Sequence, residues 1–203
     1  LCGSRILVHH SIAEEFTRRL VESVDAMVCG HPEDPSTQIG ALISLEHLQK
    51  VESYIELGVE EGGTILTGGT REMTGPVTSL DSGAFLRPTI IDGLDHTSRT
   101  STEEIFGPVV TIHRFDSDEQ AIEMANSTEY GLAGSVWSTN IDRAHSLAQQ
   151  IETGIIWVNT WLHRDLRTPF GGVKNSGVGR EGGNWSLGFF SEPLNVCIKH
   201  TQE

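Results

Sequence analysis

Three features are scarce in this sequence: cysteine, positive charge and long apolar runs. The cysteines Cys2, Cys29 and Cys197 are three among 203 residues, too few and too widely spaced for the disulfide framework of a small secreted domain. Lysine and arginine number 14 against 28 acidic residues, giving a net charge of −14, which opposes binding to nucleic-acid phosphates. No stretch approaches the roughly 20 apolar residues of a membrane-spanning helix. We therefore expect free thiols in a reducing cytoplasm, with neither nucleic acid nor membrane as a partner.

Two ligand-binding signatures are also missing. Nine histidines are present, but none stands with another His, Cys or acidic residue at a recognised metal-ligand spacing, so we predict no metal site. The segment from Gly177 to Gly182 fits the letters of the G-x-G-x-x-G dinucleotide pattern. That pattern needs a preceding strand and an acidic residue about 20 positions later. Here a loop rich in Pro and Gly precedes it, so we attribute the match to chance.

The composition that remains is that of a packed globular protein, with 37% hydrophobic and 21% charged residues. Ser11 and Glu14 form a capping box that predicts a helix over residues 11–28. Ser44 begins a second predicted helix. The apolar positions of the second helix are Leu45, Leu48, Val51, Ile55 and Val59. Residues 67–83 are rich in Gly, Thr and Ser and indicate a surface loop.

The most regular pattern lies in the second half of the chain. Strands are predicted at 109–115, 134–137 and 154–158, with helices at 118–127 and 142–151, and a short strand candidate at 85–91 is interrupted by Pro88. Strands that alternate with helices pair in parallel, because each helix returns the chain to the same end of the sheet. The sequence therefore predicts an α/β fold, an open and mostly parallel sheet flanked by helices. Ligands of such sheets bind beyond the carboxyl ends of the strands, which directs attention to residues 159–172.

Three motifs together resemble a known family. They are Thr102-Glu103-Glu104-Ile105-Phe106-Gly107-Pro108, the run from Pro169 to Gly177 followed by Gly179-Arg180-Glu181, and the opening Gly3-Ser4-Arg5. In order and separation they are similar to the second half of NAD-dependent aldehyde dehydrogenases, and the similarity covers essentially the whole chain. The resemblance implies that residues 1–190 belong to the catalytic domain, incomplete at its N-terminus, and that the NAD-binding domain is absent from this chain.

The resemblance also implies a mechanism. In the family a cysteine thiolate attacks the aldehyde, and the oxyanion is held by an Asn side chain and a backbone N–H. Hydride then passes to the nicotinamide, and a glutamate-activated water hydrolyses the thioester. Counting back from Arg5 places the nucleophile immediately before Leu1, with Cys2 as its neighbour, a small partly buried thiol. We expect the 203 residues alone to be inactive and the intact chain to use NAD, with NADP not excluded.

Three residues receive roles from the matched motifs. Glu104 is expected to accept hydrogen bonds from the nicotinamide ribose hydroxyls, because a carboxylate offers two acceptor oxygens, and Phe106 is expected to pack beside the same ribose. A solvated acid and a core aromatic are the alternatives for these two positions. Glu181 matches a glutamate sometimes assigned to proton transfer, although a helix-start charge or a salt-bridge partner explains it equally well.

The substrate class is suggested by the loop from Trp161 to Phe170. This loop is similar to that of the family branch that oxidises 2-hydroxymuconic or 2-aminomuconic semialdehyde, which are products of aromatic ring cleavage. The resemblance implies that Arg164 binds a substrate carboxylate through its planar fork of donors, with Trp161 and Phe170 also at the substrate. Alternatively, Arg164 pairs with Asp165 or another surface acid. An aliphatic or betaine-type dehydrogenase and a non-catalytic assembly module are the competing functions.

The C-terminal run from Leu194 to His200 alternates apolar and polar residues, which predicts a half-buried strand. The resemblance implies that residues 191–203 form an oligomerisation strand across a subunit interface, in a homo-oligomer that is a dimer or a tetramer. An exposed strand edge requires a partner. An ordinary edge strand within the same subunit is the alternative.

Overall fold

The computed structural model describes residues 3–71 and 83–200, and the chain divides into two compact units, Leu1–Thr128 and Glu129–Glu203. In chain order the elements are β1 Arg5–His9, α1 His10–Asp25, α2 Leu45–Glu60, β2 Thr64–Thr67, β3 Thr89–Asp92, α3 Arg99–Thr102, β4 Val109–Phe115, α4 Asp118–Asn126, β5 Tyr130–Gly131, β6 Ala133–Val136, α5 Ile141–Ala148, β7 Ile155–Val158, β8 Val173–Lys174 and α6 Asn184–Phe190. Helices are interspersed among strands that pair mostly in parallel, which confirms the predicted α/β fold class.

The first unit is built on a four-stranded sheet with the order β1-β4-β3-β2. Strand β4 pairs in parallel with β1 on one side and with β3 on the other, while β2 joins the far edge antiparallel to β3. The bounds of β4 are those expected from the sequence. Its Val109, Thr111, Ile112 and His113 are all buried, because a central strand is covered on both faces.

Helix α2 supplies the core that covers this sheet. Ser44 caps it as predicted, since the Ser44 hydroxyl accepts a hydrogen bond of 3.0 Å from the backbone N–H of His47. Leu48 and Val51 are fully buried against a cluster that includes Ile91. The same helical face was expected to bury its first and last apolar residues, but Leu45 and Val59 are 50% and 51% exposed. These two lie in the terminal turns, beyond the packed part of the helix.

Several local predictions for the first unit are corrected. The predicted capping box of Ser11 and Glu14 is wrong: β1 continues to His9, which becomes the N-cap and accepts a 3.3 Å hydrogen bond from the Ser11 N–H. The strand expected at 85–91 begins only at Thr89, because Pro88 has no N–H to give to a ladder. Strand β2 was not predicted. Residues 72–82, most of the predicted loop, lie outside the described residues.

The second unit contains two small sheets. Strands β6 and β7 pair in parallel with α5 between them along the chain, and β5 pairs antiparallel with β8. The sequence led us to expect β4, β6 and β7 in one sheet, and that pairing is wrong. Both edges of β4 are already occupied by β1 and β3, so no edge of β4 is available to another strand.

Glycines in the second unit allow backbone segments to approach closely. A Cβ added to Gly154 would lie 1.6 Å from the carbonyl oxygen of Gly171. Gly179, within the G-x-G-x-x-G letters, has a φ of 70° and a Cβ there would lie 2.2 Å from the ring of Phe189. This glycine is therefore required by packing against α6.

The segment after α6 forms neither helix nor strand between residues 191 and 200. Leu194, Val196 and Ile198 are 85%, 67% and 73% exposed. The strand predicted from Leu194 to His200 is therefore not formed in the isolated chain, since none of the sheets among the described residues extends its ladder to this segment. A strand paired across a subunit interface and an edge strand within the same subunit both stay predictions. Neither Cys197 in this segment nor the buried Cys29 forms a disulfide bond among the described residues.

Residues 3–71 and 83–200 offer neither a membrane span nor a metal-binding cluster. None of their helices combines the length and apolarity that crossing a membrane requires. In the same ranges, no group of three or more His, Cys, Asp and Glu side chains is placed to hold a metal ion.

Candidate active site

The loop between α3 and β4 presents two adjacent acids in different states. Glu103 accepts a 2.7 Å hydrogen bond from Arg99 Nε and another of 2.7 Å from the Tyr54 hydroxyl. The hydrogen bond from Arg99, followed by that from Tyr54, lowers the pKa of Glu103. Glu104 is exposed, and its carboxylate has no hydrogen-bond or ion-pair partner within the described part of the chain. Only the second acid is therefore free to bind a ligand.

Phe106 is held in an unusual backbone conformation by α2. Its φ is 59° and its side chain is 75% exposed. His47 Nε2 lies 2.7 Å from the Phe106 carbonyl oxygen, and the two rings meet edge to face at 6.1 Å. Lys50 Nζ donates a 3.0 Å hydrogen bond to the carbonyl oxygen of Glu104. A bulky residue at positive φ is uncommon and tends to occur at functional sites.

The loop that carries Glu104 and Phe106 also packs against helix α2 through Gly107. A Cβ added to Gly107 would lie 2.6 Å from Val51 Cγ2, so the backbone of the loop rests directly on α2. The alternative that Phe106 is a core aromatic is wrong in this chain, because the loop geometry directs the ring away from the cluster beneath it. An exposed carboxylate beside an exposed ring offers acceptors for a diol and a flat apolar surface.

A second group of candidate residues follows the end of β7. Trp157 is 6% exposed, and its Nε1–H donates a 2.8 Å hydrogen bond to the carbonyl oxygen of His163. The ring of Trp161 lies 5.0 Å from that of Trp157. A buried tryptophan in the strand therefore anchors the loop that follows it.

Asn159 ties the ends of two strands together. Its side chain accepts a 2.8 Å hydrogen bond from the N–H of Ser138 and donates one of 2.9 Å to the Ser138 carbonyl oxygen. Asn159 and Leu162 both have positive φ, 54° and 57°. Two such residues within four positions mark this turn as one whose conformation is imposed by its surroundings.

Arg164 lies between an aromatic ring and a carboxylate. Its guanidinium carbon is 4.1 Å from the centroid of the Phe170 ring, and its Nη2 is 3.1 Å from Glu181 Oε1. Of the acids that the alternative allowed for Arg164, Asp165 instead accepts a 2.9 Å hydrogen bond from Arg167 Nε. Arg164 instead pairs with another acid, as the alternative allowed.

The structure groups the predicted residues into two sets. Trp161, Arg164, Phe170 and Glu181 belong to the second unit, and Glu181 forms a salt bridge with Arg164. Glu104 and Phe106 belong to the first unit. Cys2 and Leu1, expected beside the nucleophile, lie outside the described residues.

Sequence reasoning missed three supporting residues. His47 and Lys50 hold the loop of Phe106 from a helix more than 50 positions away, and no local pattern indicates this. Asn159 was inside the predicted ligand segment but received no role. An Asn directly after a strand is a recognisable signal for a residue at positive φ.

Comparison with known proteins supplies an independent result. A sequence model of the aldehyde dehydrogenase family matches residues 1–196. The 2-hydroxymuconic semialdehyde dehydrogenase of Pseudomonas sp. (strain CF600) is 49% identical over 196 residues, covering 96% of this chain and 40% of that protein. The 2-aminomuconic 6-semialdehyde dehydrogenase of a Pseudomonas species is 46% identical, covering 100% of this chain and 41% of that protein.

A solved structure agrees with this result. The betaine aldehyde dehydrogenase of Staphylococcus aureus, crystallised in complex with NAD+, superposes with a TM-score of 0.87 at 40% identity, covering 92% of this chain and 36% of that one. The chain therefore spans about 40% of the length of the curated relatives it matches.

Proposed function

The chain belongs to the aldehyde dehydrogenase family, and from this premise we propose that the protein containing it oxidises an aldehyde to a carboxylic acid with NAD. Within it, residues 1–190 are the catalytic part, and the nucleophilic cysteine precedes Leu1. We expect the 203 residues alone to be inactive, because the count from Arg5 assigns the nucleophile's position to none of their three cysteines.

The cofactor role of the first unit fits the chemistry of its residues. Bound NAD supplies the hydride acceptor. Glu104 offers the ribose hydroxyls a carboxylate with no competing partner in the described chain, and Phe106 offers an exposed ring beside it. His47 holds the backbone carbonyl of Phe106, and Lys50 holds that of Glu104, so the backbone of both residues is fixed. Preorganised groups of this kind lose little conformational freedom when a ligand binds.

The substrate is a semialdehyde that carries a carboxylate, of the muconic type formed by aromatic ring cleavage. The observation that carries this proposal is the position of Arg164, stacked on Phe170 at 4.1 Å with only Nη2 engaged in a side-chain hydrogen bond among the described residues. A guanidinium held over a ring face keeps a planar fork of donors for hydrogen bonds, and such a fork suits a carboxylate. Trp161 provides an apolar wall on the same loop.

The experiment replaces Arg164 with Ala in the whole enzyme and compares two six-carbon aldehydes, 6-oxohexanoate and hexanal, which differ in the terminal carboxylate. We expect KM for 6-oxohexanoate to rise roughly 10- to 100-fold, as for a lost hydrogen bond to a charged group, and KM for hexanal to change far less. Arg167→Ala is the matched control, since Arg167 lies in the same loop and pairs with Asp165. Equal changes for both aldehydes would refute the carboxylate role.

A betaine-type substrate is the second candidate, because a betaine aldehyde dehydrogenase is among the solved structures of this fold. Its quaternary ammonium group would be repelled by Arg164. The unaltered enzyme separates the two candidates: kcat/KM is higher for 6-oxohexanoate than for betaine aldehyde in the first, and lower in the second.

The protein is further proposed to be a homo-oligomer, a dimer or a tetramer, joined through residues 194–200. The support is the alternating apolar series Leu194, Val196 and Ile198, which is exposed in the isolated chain. Such a strand-forming segment gains backbone hydrogen bonds only by pairing with another sheet.

A further inference from the structure

Arg164 is held by two residues that are themselves fixed to each other. Phe170 and Glu181 form an antiparallel bridge: the Phe170 N–H donates to the Glu181 carbonyl oxygen at 2.7 Å, and the Glu181 N–H donates to that of Phe170 at 2.8 Å. Both side chains contact Arg164, one through the ring and the other through Oε1. The backbones that carry the ring and the carboxylate are therefore fixed relative to each other.

The two contacts restrict different motions of the guanidinium. The cation–π contact with Phe170 holds the guanidinium carbon 4.1 Å from the ring centroid, yet a cation over a ring face can still turn there. The hydrogen bond from Nη2 to Glu181 stops this rotation. Nη2 carries two N–H groups, so whichever one Glu181 accepts, an edge with two donors remains for a second carboxylate.

We propose that Glu181 is a positioning residue for substrate specificity, which orients the fork of Arg164 toward the carboxylate of a semialdehyde. The proposal rests on the proposed function, in which Arg164 binds that carboxylate. The ion pair adds little to the free energy of unfolding, since the Glu181 side chain is 59% exposed and that of Arg164 is 39% exposed. Ion pairs at such positions contribute little to folding.

An opposite effect of Glu181 is also testable. A carboxylate beside Arg164 could compete with the substrate for the guanidinium, in which case removing it would improve binding of a charged aldehyde. The single-ended contact through Nη2 favours orientation over competition, because a competing carboxylate would use two donors of the fork.

The test measures, in the whole NAD-loaded enzyme, the ratio of kcat/KM for 6-oxohexanoate to kcat/KM for hexanal. A ratio cancels any loss common to both aldehydes, including one from proton transfer by Glu181. We expect Glu181→Ala to lower the ratio about threefold to fivefold, the upper range for an exposed ion pair. Glu181→Gln keeps an acceptor oxygen for Nη2 and is expected to hold the ratio within about twofold of the wild-type value.

Arg164→Ala provides the reference background. There, adding Glu181→Ala is expected to leave the ratio unchanged, because Glu181 acts through Arg164. The proposal is overturned if Glu181→Ala raises the ratio or leaves it unaltered, if Gln and Ala behave alike, or if the loss persists without Arg164. A ratio unaffected by Arg164→Ala alone would instead overturn the proposed substrate class.

Discussion

The two units of the chain bury apolar surface to very different extents. The six largest fully buried aliphatic side chains, Leu48, Val51, Leu86, Ile90, Ile91 and Ile112, all belong to the first unit. In the second unit the buried hydrophobic residues among those described are Val136, Ala144 and Trp157. The first unit therefore has the conventional core of an α/β layer, whereas the second depends on close backbone contacts and hydrogen bonds.

The apolar residues of the second unit lie instead on its surface. Examples near its C-terminal end are Trp185, Leu187, Phe189, Phe190, Leu194, Val196 and Ile198, each at least 52% exposed. Exposed apolar surface on this scale marks an interaction site in soluble proteins. We therefore expect the unit carrying Arg164 to be covered by contacts outside itself, as the proposed homo-oligomer requires.

Gly154→Ala is the substitution expected to affect the second unit most. The new Cβ would lie 1.6 Å from the Gly171 carbonyl oxygen, and both atoms belong to backbone that cannot rotate away. We expect a loss of about 4 kcal/mol or more in unfolding free energy, the range of severe overpacking. Deuterium exchange of peptides from β7 should accelerate, while that of peptides from β3 in the first unit should change little.

Gly188→Ala is the matched control. An added Cβ at Gly188 has nothing within 4 Å, and alanine favours a helix over glycine by about 0.5–1 kcal/mol. Similar exchange rates in the Gly154 and Gly188 variants would contradict the view that backbone contacts maintain this unit.

Ile198→Asp tests whether the exposed segment is covered in the assembled protein. Burial of the Ile198 side chain in an interface would contribute about 1.5–3 kcal/mol, and a carboxylate in its place would have to lose its hydration. We therefore expect subunit association to weaken roughly 100-fold, or about 3 kcal/mol. Sedimentation velocity of the whole protein over a concentration series measures this. Asn195→Asp adds the same charge to the opposite side of the alternating segment, and equal effects of the two substitutions would argue against a strand.

The sequence predicted those elements of the first unit whose signals are local. Helix α2 has a capping serine and apolar residues at helical spacing, and β4 is a central strand with apolar side chains on both faces. The N-cap of α1 was misplaced because β1 runs directly into the helix and brings His9 to that position. Strand pairing was also misassigned, since the neighbours of β4 are decided by strands elsewhere in the chain.

In the candidate site, too, the sequence predicted features that depend on neighbouring residues and missed those that depend on distant ones. Arg164, Phe170 and Glu181 were all singled out from the sequence, but their mutual packing was not, because the ion pair joins residues 17 positions apart. The positive φ of Phe106 depends on α2 and has no signature in its own segment. Motifs therefore identified the residues, and only the folded chain defines how they support one another.

His113 gives the first unit an acid sensitivity that we expect to be weaker than the preceding effects. Its imidazole is 4% exposed, with Nε2 2.9 Å from Thr111 Oγ1. Burial, reinforced by the positive charge of Arg5, lowers the pKa of His113 from 6.5 to about 4. Between these two pH values the unfolded chain binds a proton at His113 that the folded chain does not. The free energy of unfolding is therefore at its full value above pH 6.5 and decreases as the pH falls toward 4.

At pH 5 this difference amounts to about 2 kcal/mol, given 1.36 kcal/mol per unit of pKa. Urea unfolding at pH 7 and pH 5, read by pulsed deuterium labelling of peptides from β4 and β7, should show the loss in β4. His113→Gln removes the titrating group while keeping a polar side chain, so it should flatten that pH dependence. An unchanged pH dependence in the variant would assign the acid sensitivity to other groups and remove this distinction between the units.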